Sequence, residues 1–385
     1  MLEDVFVNRQ IRADFPVTQQ LTYLDTAYDG PYPLPVLEAG KSFLKRRSEG
    51  TAGRVRDWME VMDEVRHRIA GLVNARPSEI AITTNTTQGT NIVALSLALG
   101  PGDNVVWGSQ EYPSNGLVWL TEAARRRFEN RIIEDSKGAL EVSDFERAVD
   151  EHTRVISVSH VSYRNGHVLD LRGLAELAHA HGAYLHVDAI QSVGAIQVDV
   201  KESGVDFLTC GTYKWLLGPI GLAFFYVREE LLPELESPYS GEMQATKWFN
   251  PLQTFPQGEF PVELHETARK FEYATLHFQG LYELRAALDY AQGIGMPKIE
   301  AQVLKLSSKL WKGLDDLGFE MFTPPNTASG IVTCVVEDAD RAERLLEENR
   351  IVASLKAGRH LRVSPHFFNN EEDVDHLLSV MEAAS

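Results

Sequence analysis

The chain has 385 residues, 44% hydrophobic and 24% charged, enough to bury a substantial core and to form two or three domains. Its formal net charge of −18 opposes phosphate backbones and anionic lipid faces, so neither nucleic acid nor a membrane is an expected partner. Two cysteines, Cys210 and Cys334, are too few for a disulfide framework and lack metal-ligand spacing. No metal site is therefore expected. The N-terminal MLEDVFVNRQ has no basic start or apolar run, and no stretch of roughly eighteen apolar residues occurs, which predicts a soluble, cytoplasmic protein.

Residues 1–20 read as an N-terminal arm. From about residue 57, apolar runs alternate with helical periodicity, which predicts an α/β fold with a largely parallel sheet between helices. Trp58, Val61, Met62, Val65, Ile69 and Leu72 recur at three- and four-residue steps, the stripe of an amphipathic helix. Strands are expected at Glu79–Thr84, Asn104–Gly108, Arg154–His160, Ala183–Val187, Phe207–Cys210 and Leu222–Val227. Leu171, Leu174, Ala175 and Ala178 mark a helix that Gly182 stops. The proline-rich stretch 235–262, with Trp248 and Phe249 on it, reads as a long irregular loop, and loops of that length usually serve a function. A long helical region follows at about 271–317, then a strand at Gly330–Val336, a helix near 340–349, a strand at His360–Ser364 and a last helix from Glu371. The expected division is a large domain over 21–262 and a smaller C-terminal α/β domain over 263–385.

Ligands of parallel sheets sit at the carboxyl ends of the strands, so the residues just beyond each strand are the candidates for chemistry. The turn Thr83-Thr84-Asn85-Thr86-Thr87-Gln88-Gly89 stands between a strand and a helix, where backbone N–H groups and the positive helix end favour an anion; a plain helix cap is the alternative. It matches neither the Walker nor the dinucleotide glycine pattern. The run Tyr184–Gln191 ends an apolar strand in Asp188, whose carboxylate needs a cationic or N–H partner unless it merely caps a helix. Phe207–Trp215 ends the next strand in Lys214. Lysine is usually a solvated surface charge, but here its neighbours are Tyr213, Trp215, Leu216 and Leu217, and a buried amine loses proton affinity and becomes a nucleophile. Arg362 follows His360-Leu361 and has the shape to clamp a carboxylate, or to form a structural salt bridge. Each signal alone is weak. A phosphate cradle, a carboxylate and a lysine in this order make the set that pyridoxal phosphate needs.

On these residues the chain resembles the class V aminotransferase and cysteine desulfurase-like family of fold-type-I pyridoxal phosphate enzymes, with isopenicillin N epimerase-like and selenocysteine lyase-like members, over nearly its whole length. The resemblance implies Lys214 as the Schiff-base lysine, Asp188 on the pyridine nitrogen and Gln191 on the phenolic oxygen of the cofactor. It places Thr86 and Thr87 at the phosphate, Tyr213 beside the lysine, and Tyr112 of Gln110-Glu111-Tyr112-Pro113-Ser114-Asn115 where a ring stacks on the cofactor. Arg269-Lys270-Phe271-Glu272-Tyr273-Ala274-Thr275 is similar to a family segment whose threonine reaches the phosphate of the neighbouring subunit, which implies a homodimer completed by Thr275. Arg362 is similar to the arginine that holds the substrate α-carboxylate, and Tyr28, Tyr163, Arg164 and Lys356 lie near matched motifs as candidates for side-chain selection.

The departures from the family are specific. Gly211-Thr212-Tyr213-Lys214 stands where desulfurases carry Ser-Gly-His-Lys, Ala274 replaces a glycine, and Tyr163-Arg164 follow His160-Val161-Ser162 where an asparagine often stands. Ile351–Arg359 contains no cysteine, although a desulfurase keeps its sulfur-accepting thiol there, and Cys210 and Cys334 sit inside apolar runs as core thiols do. The expected activity is action on an α-amino acid, with transamination ahead of β-elimination (a carbon–sulfur lyase) or epimerisation. A cofactor-binding protein without turnover is the alternative of another class. Retention of Lys214, Asp188 and Arg362 together favours turnover, and a pattern that begins by Leu24-Asp25 leaves no room for a helix-turn-helix.

Overall fold

A computed structural model describes residues 9–135, 138–246 and 263–383. The expected two-part α/β architecture is present. After a short strand β1 (Thr22–Tyr23), seven strands form the main sheet: β2 (Ile80–Thr83), β3 (Asn104–Gly108), β4 (Glu129–Ile133), β5 (Thr153–Ser159), β6 (Tyr184–Asp188), β7 (Phe207–Gly211) and β8 (Ala223–Val227). Their order is β2-β8-β7-β6-β5-β3-β4, and only β8 runs antiparallel to its neighbours. Four of these strands, β2, β3, β7 and β8, are buried along their whole length. That is why they read as unbroken apolar runs, since helices cover both faces. The edge strand β4, Glu-Asn-Arg-Ile-Ile, is half exposed and carries no such signal.

Helices Val55–Leu72, Leu171–Ala180 and Phe278–Ile294 cover one face through Val61, Ile69, Leu174, Leu281 and Leu284. On the other face, helices Thr86–Ser96 and Pro113–Arg126 pack Ile92, Val93, Val118 and Trp119. Gly89 lets the first of these lie hard against β7, because a Cβ there would stand 2.3 Å from Thr209 Cγ2. The close approach brings the helix N-terminus to the carboxyl ends of the strands.

The helical region at 271–317 is two helices, Phe278–Ile294 and Met296–Asp316, joined at Gly295 with φ of 92°. The stretch 278–294, placed by sequence with 263–385, buries its apolar side in the large-sheet core. The second helix instead contributes Leu306, Leu310 and Leu314 to the small-domain core. That domain holds β9 (Glu320–Met321), β10 (Val332–Val335), β11 (Ile351–Val352), β12 (Ser354–Lys356) and β13 (His360–Val363); four form an antiparallel sheet in the order β12-β13-β10-β9. Helices Ala339–Glu348 and Glu371–Glu382 complete its core.

The N-terminal segment ties the two bodies together. Phe15 stacks on Phe368 at 4.4 Å, and β1 pairs in parallel with β11. Gly30 N–H then donates to the Tyr213 carbonyl at 2.8 Å. A Cβ on Gly30 would lie 2.1 Å from the Lys214 carbonyl oxygen, so only glycine permits this crossing. The described part of 235–262 follows a 3-10 turn at Glu229–Glu234 and is irregular, with a second such turn at Glu242–Gln244 and a bridge from Ala245 to Leu264. Trp248 and Phe249 lie outside the described residues.

Candidate active site

Lys214 leaves the end of β7 on a turn locked by backbone bonds, Leu217 N–H to the Lys214 carbonyl at 3.1 Å and Gly218 N–H to the Thr212 carbonyl at 2.8 Å. Leu217 holds a left-handed φ of 54° to close it. The Thr212 hydroxyl donates within the same turn, to the Pro219 and Leu222 carbonyls, and so is committed to the scaffold. The lysine side chain is buried. Desolvation, followed by the field of Arg362, pushes its pKa down to about 8, against the opposing attraction of Asp188. About a tenth of the amine is thus uncharged at pH 7, far more than for a solvated lysine.

Asp188 closes β6 beneath this amine. Its Oδ2 accepts from Asn115 Nδ2 at 2.9 Å and its Oδ1 from Ile190 N–H at 3.0 Å. Burial raises its pKa, and the two bonds oppose that shift. Gln191 is fixed behind it, donating to the Ala27 carbonyl at 3.0 Å and accepting from Trp215 Nε1 at 2.8 Å.

Asn115 and Glu111 were not assigned roles from sequence. Glu111 accepts from Ser159 N–H and Ser159 Oγ, both at 2.6 Å, and burial drives its carboxyl up to about 7. Asn115 bridges the two acids, with a longer bond of 3.4 Å to Glu111 Oε2. No local pattern marks the pair, since Glu111 lies in the turn before the helix Pro113–Arg126 and Asn115 in its first turn.

A cavity joins Thr86, Tyr112, Tyr163, Asp188, Gln191, Tyr213 and Lys214, along with Ser159, Val161 and Ile190. Tyr112 and Tyr163 meet edge to face at 5.2 Å. The other expected residues do not line it. Thr87 lies one residue further along the helix, and its carbonyl accepts from Asn91. Arg362 stands nearby on β13, donating to the Tyr163 carbonyl at 3.0 Å and to Asp25 Oδ1 at 3.3 Å, so the salt bridge foreseen for it is present. Tyr28 is on the exposed rim. The Arg164 guanidinium lies over Phe322, 5.3 Å from the ring centroid. Thr275 is exposed on the segment held by Glu272, which is buried and paired bidentately with Arg66.

A wider surface cavity opens near His67, Asp170, His160 and Met296. It converges no nucleophile with a base, and His160 there is held neutral, its pKa pushed down to about 4 by burial. The described residues contain no metal-ligating cluster and no helix long and apolar enough to cross a membrane.

The residues fit pyridoxal phosphate on their own chemistry. An amine of lowered proton affinity faces a buried carboxylate across a cavity walled by an aromatic ring. The N-terminus of helix Thr86–Ser96 is directed at the same space by the glycine contact with β7.

Comparison with known proteins agrees. The family model for aminotransferase class-V matches residues 22–377. A probable cysteine desulfurase of Methanothermobacter thermautotrophicus is 31% identical, with 97% of this chain and 96% of that protein aligned. An uncharacterized aminotransferase, YcbU, of Bacillus subtilis is 29% identical over 97% of each chain. Among solved structures, a complex between the cystine C-S lyase C-DES and its reaction product cysteine persulfide superposes with a TM-score of 0.88 at 25% identity, covering 96% of this chain and all of that one. A lysine, a carboxylate and a helix end converge on one cavity, and the chain belongs to the class V aminotransferase family and is an enzyme dependent on pyridoxal 5'-phosphate.

Proposed function

We propose that this enzyme is a carbon–sulfur lyase that removes a β-sulfur group from an α-amino acid. The observation that carries the reading is where its thiols are. Ile351–Arg359, which forms β11, β12 and the turn to β13, contains no cysteine. Cys210 and Cys334 are both free, both buried in strands, and burial raises both thiols, Cys334 to about 12. A sulfur cut from the substrate has no ionised thiol to accept it, so it leaves in the product. The C-S lyase among the solved neighbours supports the same reading.

Bound pyridoxal phosphate supplies an electron sink for the substrate α-carbon. Lys214 would hold it, and Asp188, fixed by Asn115 and Ile190, would keep the proton on its ring nitrogen. Thr86, Thr87 and the helix end would hold the phosphate, Tyr112 would stand against the ring, and Gln191 has a second amide hydrogen for the phenolic oxygen. Arg362 would take the α-carboxylate. Lys214 Nζ, tethered in the cavity and of lowered proton affinity, would serve as the base for the substrate α-proton. In the net reaction the C–S bond would break with its electron pair on sulfur, and water would supply the oxygen of the keto acid. Amino acid plus water gives pyruvate, ammonia and a thiol or persulfide.

Thr275, exposed and three residues beyond the Arg66–Glu272 anchor, would complete the phosphate site of a second copy in a homodimer. Transamination is the second reading, favoured by the aminotransferase name of the B. subtilis relative. One assay separates the two. Incubation with cystine, cysteine and sulfur-free amino acids should give pyruvate with stoichiometric sulfur release from the first two. A keto acid that keeps the substrate carbon skeleton, formed without sulfur release, would replace the lyase reading with transamination.

A further inference from the structure

The rim of the site carries a second cation for which the reaction above has no use. β12 and β13 pair antiparallel with Ser354 opposite Arg362 and Lys356 opposite His360, so Ser354, Lys356 and Arg362 project from one face. That face looks toward the site, because Ser354 and Arg362 both bond Asp25, one on each carboxylate oxygen. One step outward, Lys356 Nζ lies 5.2 Å from the centroid of the Tyr28 ring, which is 63% exposed. Among the described residues the Lys356 ammonium forms no ion pair and no hydrogen bond, and Asp25 is already taken by Ser354 and Arg362. Its charge is felt inside the site, where it joins Arg362 in lowering the proton affinity of Lys214. An ammonium held over an aromatic plate, partly desolvated and beside a carboxylate clamp, is half of an ion pair.

We propose that Lys356 and Tyr28 form a second anion subsite, which receives the far carboxylate of a substrate whose α-carboxylate is on Arg362. The substrate class is an α-amino acid whose side chain ends in another carboxylate, to which the disulfide-linked cysteine dimer belongs. The subsite rests on the placement of the α-carboxylate argued above and is independent of which bond the enzyme breaks. It also shows how a chain of net charge −18 receives a substrate with two carboxylates, through local cations set against the general field.

The test uses ligands with no β-leaving group, titrated into holoenzyme and followed by the visible absorbance of the bound cofactor. L-glutamate is compared with L-glutamine, and L-2-aminoadipate with L-norleucine. The dicarboxylate of at least one pair should bind about tenfold more tightly, as one charge-assisted contact provides. Lys356→Gln should bring that ratio near one, and Lys356→Arg should preserve it. Equal affinities in the wild type overturn the subsite. So does a Lys356→Gln variant that weakens both members of a pair equally, which marks a structural role. Discrimination without pyruvate from cystine removes the lyase reading and leaves the subsite standing. Pyruvate without discrimination does the reverse.

Discussion

Two buried arginines in this molecule face two different tasks. Arg66 gives Glu272 a bidentate grip at 2.5 and 3.2 Å, and its remaining terminal hydrogens go to the Ile80 carbonyl and Asp63. Arg362 donates one bond from each terminal nitrogen, to Tyr163 and Asp25, and so leaves the other hydrogen of each unspent, while the Nε of both arginines has no partner. The first spends its terminal hydrogens and anchors the segment that presents Thr275. The second is held in place by Asp25 while part of its fork stays open beside the cavity. A buried charge with unused donors is costly for stability alone, and a carboxylate ligand completes it.

That contrast can be broken by substitution. Arg66→Ala should cost about 3–5 kcal/mol in chemical unfolding, because it leaves Glu272 charged and unpaired in the core. A loss under about 1 kcal/mol would show that the pair is not the anchor. Gly30→Ala should lower kcat about a hundredfold by forcing Lys214 off its position, with a smaller change in KM; wild-type kinetics would mean that the crossing segment does not set the lysine. Arg362→Lys keeps a charge for Asp25 but loses the fork. Its KM for amino acids should rise about tenfold or more, with little change in unfolding midpoint. A lowered midpoint with unchanged KM would assign Arg362 to structure, as for Arg66.

The smallest effect concerns Glu111, whose carboxyl is raised in the folded state from its ordinary value to about 7. A raised acid binds more protons folded than unfolded, so its ionisation removes stability as pH climbs from about 4.5 to 7. The stability difference between wild type and Glu111→Gln should fall across that window and level off above it. A flat difference would place Glu111 in an ordinary ionised environment.

What the sequence showed follows the range of the interactions. Asn104–Gly108 and the other buried strands were plain because burial on both faces makes a local apolar run. The edge strand β4 was missed because its exposed positions are polar. The helix Pro113–Arg126 gave no reason to single it out until Asn115 was seen bonding Asp188, seventy-three residues away. Lys214 and Asp188 could be found because each ends its own apolar strand with a charge. The partner of Arg362 could not, since Asp25 lies 337 residues distant and meets it only through the pairing of β1 with β11 and the Asp25–Ser364 bridge. Local patterns disclosed which charges the strands carry to the site, and only tertiary structure disclosed what holds them.

The central claim is that Lys214 is the amine that carries the cofactor. Borohydride reduction of the holoenzyme makes the lysine–cofactor link permanent, and peptide mapping by mass spectrometry then locates it. The account predicts the added mass on the peptide containing Lys214 and its disappearance in Lys214→Ala. Label on another lysine, or a Lys214→Ala protein that still takes up the mass in full, would contradict it.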